Sequence, residues 1–231
     1  MIRVEHIEVF NFEGAIRGLR NPMNSWDKSD SALCSSNFFQ DCKSTCDECP
    51  RPDTEDSFEN DVYCIGKSDM TLMQRLYKAG HPHRKYLRQI MVSMDITSHH
   101  TWWSEFDTYK IGVTRNSCSK MHKIHVKSFG KDDFSHEGID EVGNYAKEHF
   151  DNTLIVLEKL RHQFNETHEK KYWRTIIELL PMGYNIKATI TMNYENVVNM
   201  LQYRQGHKLD EWNEFCKILK NLPYITQITA E

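Results

Sequence analysis

Five of the seven cysteines in this chain fall between residues 34 and 64. Cys42, Cys46 and Cys49 are spaced so that one loop can wrap three thiolates around a tetrahedral ion, and soft sulfur ligands suit zinc, with Zn–S bonds of about 2.3 Å. The fourth ligand is expected to be Cys34 rather than Cys64, because Val62-Tyr63-Cys64-Ile65 reads as an apolar stretch in which a cysteine behaves as a small hydrophobe. A zinc knuckle is the leading reading. The same spacing can hold a [4Fe–4S] cluster, although no repeated βα barrel pattern accompanies it, and unligated thiols in a loop are the third reading. The odd number of cysteines and the length of 231 residues argue against a disulfide scaffold.

Other residues offer different chemistry. Arg115, Ser117, Ser119 and Lys120 form a polar group able to bind a phosphate through charge-assisted bonds and hydroxyls, or to be a solvated loop. His81, His83, His99 and His100 titrate near neutrality and suit acid–base work or ligation, with caps and surface positions the plainer reading. Glu105 and Asp107 would share one side of a strand as paired carboxylates but diverge on a helix, and a solvated face is expected. Arg17 and Arg20 could hold a phosphate, but pairing with Glu13 is the simpler expectation. Trp102-Trp103 reads as one buried anchor and one interface anchor rather than a stacking platform.

The elements that must position these groups follow from hydrophobic period. Residues 2–10 alternate, with a slip at His6, as a half-buried strand does. Residues 20–60 are rich in Asn, Ser, Asp and Pro and read as a long loop. Ser68 is expected to cap a helix that buries Leu72, Met73, Leu76 and Ala79 and stops at Gly80. Residues 86–96 read as a strand. From Gly138 to Phe164 the apolar positions step by three or four, predicting one long amphipathic helix through Val142, Tyr145, Phe150, Leu154 and Leu157. A second helix from about His168 ends at Pro181, which has no N–H to donate. GYNIKATITMN is a strand, Asn193 caps the next helix, and a last helix turns Leu209, Trp212, Phe215, Cys216 and Leu219 inward. The class is α+β.

Composition narrows the function. Twenty-nine basic against 33 acidic residues give a net charge of −4, which argues against a general nucleic-acid binder. No apolar run approaches the roughly 18–20 residues that span a bilayer, and the start, MIRVEHIEVF, has no secretory apolar region. A cytoplasmic protein without a membrane partner is expected.

Residues 179–212, LLPMGYNIKATITMNYENVVNMLQYRQGHKLDEW, resemble the C-terminal core of the flavin-dependent thymidylate synthases: Leu180-Pro181, Asn193, Asn199, Arg204, His207 and Trp212 fall in that family's order. VEHIEVFNFEGAIRGLR resembles its opening strand and helix, and GHPHRKYLRQIMVSMDI its Gly-His strand region. WWSEFDTYKIGVTRNSCSKMHKI is similar to phage and bacterial relatives of the synthases. The resemblance covers most of the chain outside residues 30–62, and implies a ThyX-like fold over 1–231: a central antiparallel sheet packed by long helices, plus a Cys-rich inserted loop at 30–62. It implies a homotetramer with nucleotide sites between subunits. The implied activity is reductive methylation of deoxyuridine monophosphate (dUMP) or a related pyrimidine nucleotide, using FAD, a reduced nicotinamide and methylene-tetrahydrofolate.

By the same resemblance Arg204 holds the pyrimidine and polarises it, Asn193, Asn199 and His207 lie at the flavin, and Thr114-Arg115-Asn116-Ser117 stands at the turn that cradles phosphate, so that Arg115, Ser117, Ser119 and Arg204 are the substrate contacts. The family's Arg-His-Arg signature, however, aligns with Glu105-Phe106-Asp107, and the Arg two places after Asn193 is Glu195. Reversing a unit charge at about 4 Å changes an interaction by several kcal/mol at an effective dielectric of about 20. That argues against FAD in the family's usual pose. The alternative expectation is a non-enzymatic, zinc-stapled oligomeric binding protein that has lost the flavin.

Overall fold

The computed structural model describes residues 2–34 and 62–230. Cys42, Cys46 and Cys49 lie outside the described residues, as does most of the expected inserted loop. A four-stranded antiparallel sheet runs in the order β1-β4-β6-β5, formed by β1 (Arg3–Phe10), β4 (Met91–His99), β6 (Asn185–Asn193) and the edge strand β5 (Thr114–Ser117). Alternation builds it: Val92, Met94 and Ile96 of β4 and Ile186, Ala188, Ile190 and Met192 of β6 point to one buried face. The slip at His6 is a bulge, with His6 at φ 52° and the β1–β4 register shifting between Glu5 and Glu8.

Helices α1 (Phe12–Arg20), α2 (Lys67–Lys78), α3 (His100–Phe106), α8 (Tyr194–Arg204), α9 (Asp210–Lys220) and α10 (Ile225–Ile228) contribute to the core on that face. Each supplies an apolar stripe, such as Ala15, Ile16 and Leu19 or Trp212, Phe215 and Leu219. Burying one such large side chain is worth about 1.5–3 kcal/mol. A second core lies apart. There Phe150, Leu154 and Leu157 of α6 (Asn144–Thr167) and Ile176 of α7 (Lys170–Leu179) close on Ile124, Phe129 and Phe134. Two short helices, α4 (Lys120–Lys123) and α5 (Glu137–Val142), precede α6 in the chain.

Several expectations need correction. The long helix is two: Gly143, at φ 128° and ψ 179°, ends α5 before α6 begins, and Val142 and Tyr145 are exposed rather than inward. Residues 85–88 form a 3-10 turn, because Tyr86, Leu87 and Ile90 are buried at helical rather than alternating spacing, and β4 starts only at Met91. Gly66 rather than Ser68 stands at the N-cap of α2, while Ser68 donates its N–H to Asp30 and its hydroxyl to the Lys28 carbonyl. Thr114–Ser117 is a strand, not a turn. Both Trp102 and Trp103 are buried, so neither is a surface anchor.

On either side of residues 35–61 in the sequence, β2 (Ala32–Cys34) pairs with β3 (Val62–Cys64), with Ala32 opposite Cys64 and Cys34 opposite Val62. That register puts Cys34 and Cys64 on one face of the ladder. Nearby, Arg20 meets a different partner from the Glu13 expected of it. Its Nε lies 2.7 Å from Asp69, both side chains being buried, and Ser29 and Ser31 donate hydroxyl bonds to the same carboxylate. Burial would raise the Asp69 carboxyl, but the bonds from Ser31, Ser29 and Arg20 outweigh it and hold it below the ordinary carboxylate range. Arg17 does face Glu13, at 3.7 Å.

Candidate functional site

The C-terminal end of α8 carries Arg204 toward α3 and the 3-10 turn after it. Arg204 Nε donates to the Tyr109 hydroxyl at 2.9 Å, Nη1 to Glu105 Oε2 at 2.7 Å, and Nη2 to Thr108 Oγ1 at 3.1 Å. Its guanidinium carbon lies 4.9 Å from the centre of the Trp212 ring and 5.3 Å from that of Tyr109, both within cation–π range. His207 Nε2 stands 3.2 Å from Arg204 Nη1, while its Nδ1 accepts from the Leu209 N–H. A guanidinium has five N–H donors in a fixed fork, and here all three nitrogens are engaged within the chain.

At the other end of α8, Asn193 is the N-cap, accepting from the Asn196 N–H at 3.1 Å while Asn196 returns the bond. Asn196 Nδ2 also donates to the Ile111 carbonyl, pinning the turn at Gly112, whose φ of 78° and closeness to Asn193 suit a residue without Cβ. Asn199 is half-buried on the same helix. Glu195 is buried, and Arg84 clamps it through Nη2 at 2.9 Å, with His81 at 3.4 Å.

The 3-10 turn also faces the sheet edge. Arg115 Nη1 lies 3.0 Å from Asp107, and the Arg115 guanidinium sits over Trp103 at 4.9 Å. Glu105 and Asp107 therefore diverge and serve two different arginines, rather than forming a carboxylate pair or a merely solvated face. Ser119 caps α4 by accepting the His122 N–H, and Ser117 lies on exposed β5. Lys120 Nζ reaches His100 Nε2 at 2.5 Å. Burial, then Lys120, push the His100 imidazole down; burial and Arg115 lower the Lys120 ammonium. His99, at the start of α3, caps the Trp102 N–H and lies 3.2 Å from Glu211. That bond is the main cause pulling Glu211 down to about 2.

Neither a protein-family model nor a curated protein matches the sequence. Solved structures do. A flavin-dependent thymidylate synthase, ThyX from Helicobacter pylori, complexed with FAD and dUMP, aligns over 99% of this chain and 98% of its own, with a TM-score of 0.62 at 15% identity. A second Helicobacter pylori ThyX structure, also with FAD and dUMP, aligns over 100% and 98%, with a TM-score of 0.60 at 14% identity. This chain has the ThyX fold.

Within the ThyX fold, the expected site residues do not form one cluster. Arg204 and His207 come together with Trp212, and Arg115, Ser117 and Ser119 lie along the sheet edge. Asn193 and Asn199 sit elsewhere on α8, and Cys34 lies on β2. Among the described residues no group of three or more His, Cys, Asp or Glu could hold a metal, and no helix is long and apolar enough to cross a membrane. Thr108, Tyr109 and Arg84 were not among the expected site residues. Their signal is a charge one: each basic or acidic departure from the ThyX pattern needs a partner when buried, and these side chains are near it.

Nor do the residues present suit a flavin dinucleotide in the ThyX pose. Where the resemblance places phosphate-facing cations, the chain has Glu105, Asp107 and Glu195. Each of these carboxylates is already paired, with Arg204, Arg115 and Arg84 respectively.

Proposed function

We propose that this chain is a ThyX-like binding protein for a pyrimidine nucleotide, dUMP or a close relative. The observation that carries the reading is the full-length likeness to two structures that each contain dUMP. The Arg204, Tyr109 and His207 group supports it, being a charged corner backed by the buried Trp212 ring, of the type that orients a polar heterocycle. Arg204 is the residue proposed to face the pyrimidine and, in an active enzyme, to polarise it. Asn193, Asn199 and His207 are proposed for the flavin side of the site, should a flavin be held, with Asn193 at the start of the helix that carries Asn199 and His207 in the turn after its end. Assembly as a homotetramer, with sites completed between subunits, belongs to the same proposal.

The test is isothermal titration of the full chain with dUMP, deoxyuridine and a purine nucleotide, alongside an absorbance spectrum and a titration with FAD. Saturable binding of dUMP with preference over the purine supports the reading; equal or absent binding sinks it. Yellow protein or saturable FAD binding would show that flavin is held by contacts other than those of the ThyX pose, and would make reductive methylation the reaction to assay.

A second reading has its own observation. The β2–β3 ladder, whose strands flank residues 35–61 in the sequence, has Cys34 and Cys64 on one face. That placement and the cysteine spacing support a proposed structural zinc held by Cys34, Cys42, Cys46 and Cys49, with Cys64 as the rival fourth ligand. Elemental analysis of untagged protein decides it: about one zinc per chain supports the knuckle, and none overturns it.

A further inference from the structure

Three carboxylates stand where the resemblance places cations, and they differ in what they leave open. Glu195 is buried and clamped by Arg84, and Asp107 turns to Arg115 at the sheet edge. Of the three, only Glu105 meets Arg204. It spends one oxygen there, Oε2 on Nη1 at 2.7 Å, and among the described residues no donor lies within hydrogen-bond distance of its Oε1.

Each nitrogen of Arg204 is already engaged. Nε donates to Tyr109, Nη1 to Glu105 and Nη2 to Thr108, and the Trp212 ring lies 4.9 Å from the guanidinium carbon. The Arg204 side chain is 13% exposed and that of Glu105 41%. A molecule entering this corner therefore meets an acceptor, the carboxylate oxygen, where an unpaired guanidinium would have offered donors. That difference bears on which pyrimidine fits. Uracil carries a carbonyl oxygen at C4, and cytosine an amino group with two N–H donors. A carboxylate accepts from the amino group but repels the carbonyl, since both oxygens present lone pairs. Uracil's one imide N–H lies between two carbonyl oxygens, so turning that edge to Glu105 brings the same repulsion from both sides.

We propose that Glu105 sets the specificity of this site for the nucleotide of a 4-aminopyrimidine, the cytosine type, whose amino group donates to Oε1 while Arg204 holds Oε2. The inference rests on the nucleotide reading for the presence of a pyrimidine, and departs from the dUMP of the two similar structures in the substituent at C4. It also gives the Glu105–Arg204 pair a use. The pair fixes the carboxylate before the ligand arrives, so less freedom is lost on binding.

The experiment titrates the full chain by calorimetry with deoxycytidine monophosphate (dCMP), dUMP, the deoxynucleotide of 4-unsubstituted pyrimidin-2-one, and deoxyadenosine monophosphate (dAMP), which carries an amino group on a larger base. The unmodified protein is compared with Glu105→Gln. The site predicts that dCMP binds at least about tenfold more tightly than dUMP, the scale of one hydrogen bond to a charged group. The pyrimidin-2-one nucleotide, lacking both the amino group and the carbonyl at C4, falls between them. Glu105→Gln, whose amide donates as well as accepts, brings dCMP and dUMP within about threefold of each other. The ranking on the unmodified protein needs no variant, so it holds or fails whether or not Glu105→Gln keeps the fold.

Binding of dUMP as tight as that of dCMP, with both preferred to dAMP, overturns the inference and leaves the nucleotide reading standing. A preference for dCMP that a folded Glu105→Gln leaves unchanged also overturns it, because the selection then lies elsewhere in the site. No preference for either pyrimidine over dAMP removes the nucleotide reading, and the inference falls with it.

Discussion

Glu105 stands where the resemblance expects a cation, and the structure shows what it does there: its carboxylate occupies Arg204 at 2.7 Å. Glu105→Gln keeps the shape and removes the charge, so the Arg204 guanidinium is expected to become more available to an anionic or carbonyl ligand. A partly exposed pair of this kind is worth about 1 kcal/mol, so dUMP affinity measured by calorimetry should rise by roughly fivefold. An unchanged affinity would mean that Tyr109 and Thr108 alone hold Arg204 in place. Glu211 makes a second prediction. Its folded value, about 2, lies below its ordinary 4.5, chiefly through His99. A depressed carboxylate stabilises the fold above its unfolded value and loses that contribution as pH falls toward the folded one. Urea unfolding should therefore show stability falling between about pH 4.5 and 2, and Glu211→Gln should flatten that acid limb while lowering stability at neutral pH.

At the scale of elements, the joint between α5 and α6 is set by one residue. Gly143 adopts φ 128° and ψ 179°, a conformation essentially restricted to glycine, yet a Cβ there would meet nothing within 4 Å. Gly143→Ala is therefore a probe of backbone strain without a packing clash. It is expected to destabilise the chain by about 1–3 kcal/mol in chemical denaturation, with nucleotide binding unchanged because neither Arg204 nor Glu105 lies on these helices. A loss of binding in that variant would tie the second core to the site. The apolar period across residues 138–164 is continuous, and only the glycine marks the break. A single glycine inside a helical pattern is ordinarily tolerated, so its meaning was not legible from the pattern alone.

Across the whole molecule, the first 34 residues are held to the rest by β1 on β4 and by the Arg20–Asp69 pair. Both partners of that pair are buried, and Asp69 also receives the Ser29 and Ser31 hydroxyls. Removing one member of a buried pair leaves an uncompensated charge, which costs about 3–5 kcal/mol. Asp69→Asn is thus expected to lower the stability of the entire domain core by that order in urea titration, far more than Glu13→Gln, which breaks only the exposed contact with Arg17. Equal effects of the two variants would refute the buried network.

What the sequence by itself determined is the set of amphipathic elements: the alternation in β4 and β6, the inward stripe of Trp212, Phe215, Cys216 and Leu219, and the Asn193 cap all read directly, because side-chain period and capping are properties of a few neighbouring residues. The type of fold was legible too, through the order of Leu180-Pro181, Asn193, Arg204 and Trp212. Only the tertiary structure decided how the charges pair. Glu105 and Arg204 are 99 residues apart and Arg84 and Glu195 are 111 apart. Nothing local in either segment names its partner. Ion pairing is settled by which side chains the packed helices and sheet bring within a few ångströms, and by the cost of burying any charge left over. For the same reason the sequence puts Lys120 in a polar group of unknown partner, and only the packed chain shows it facing His100.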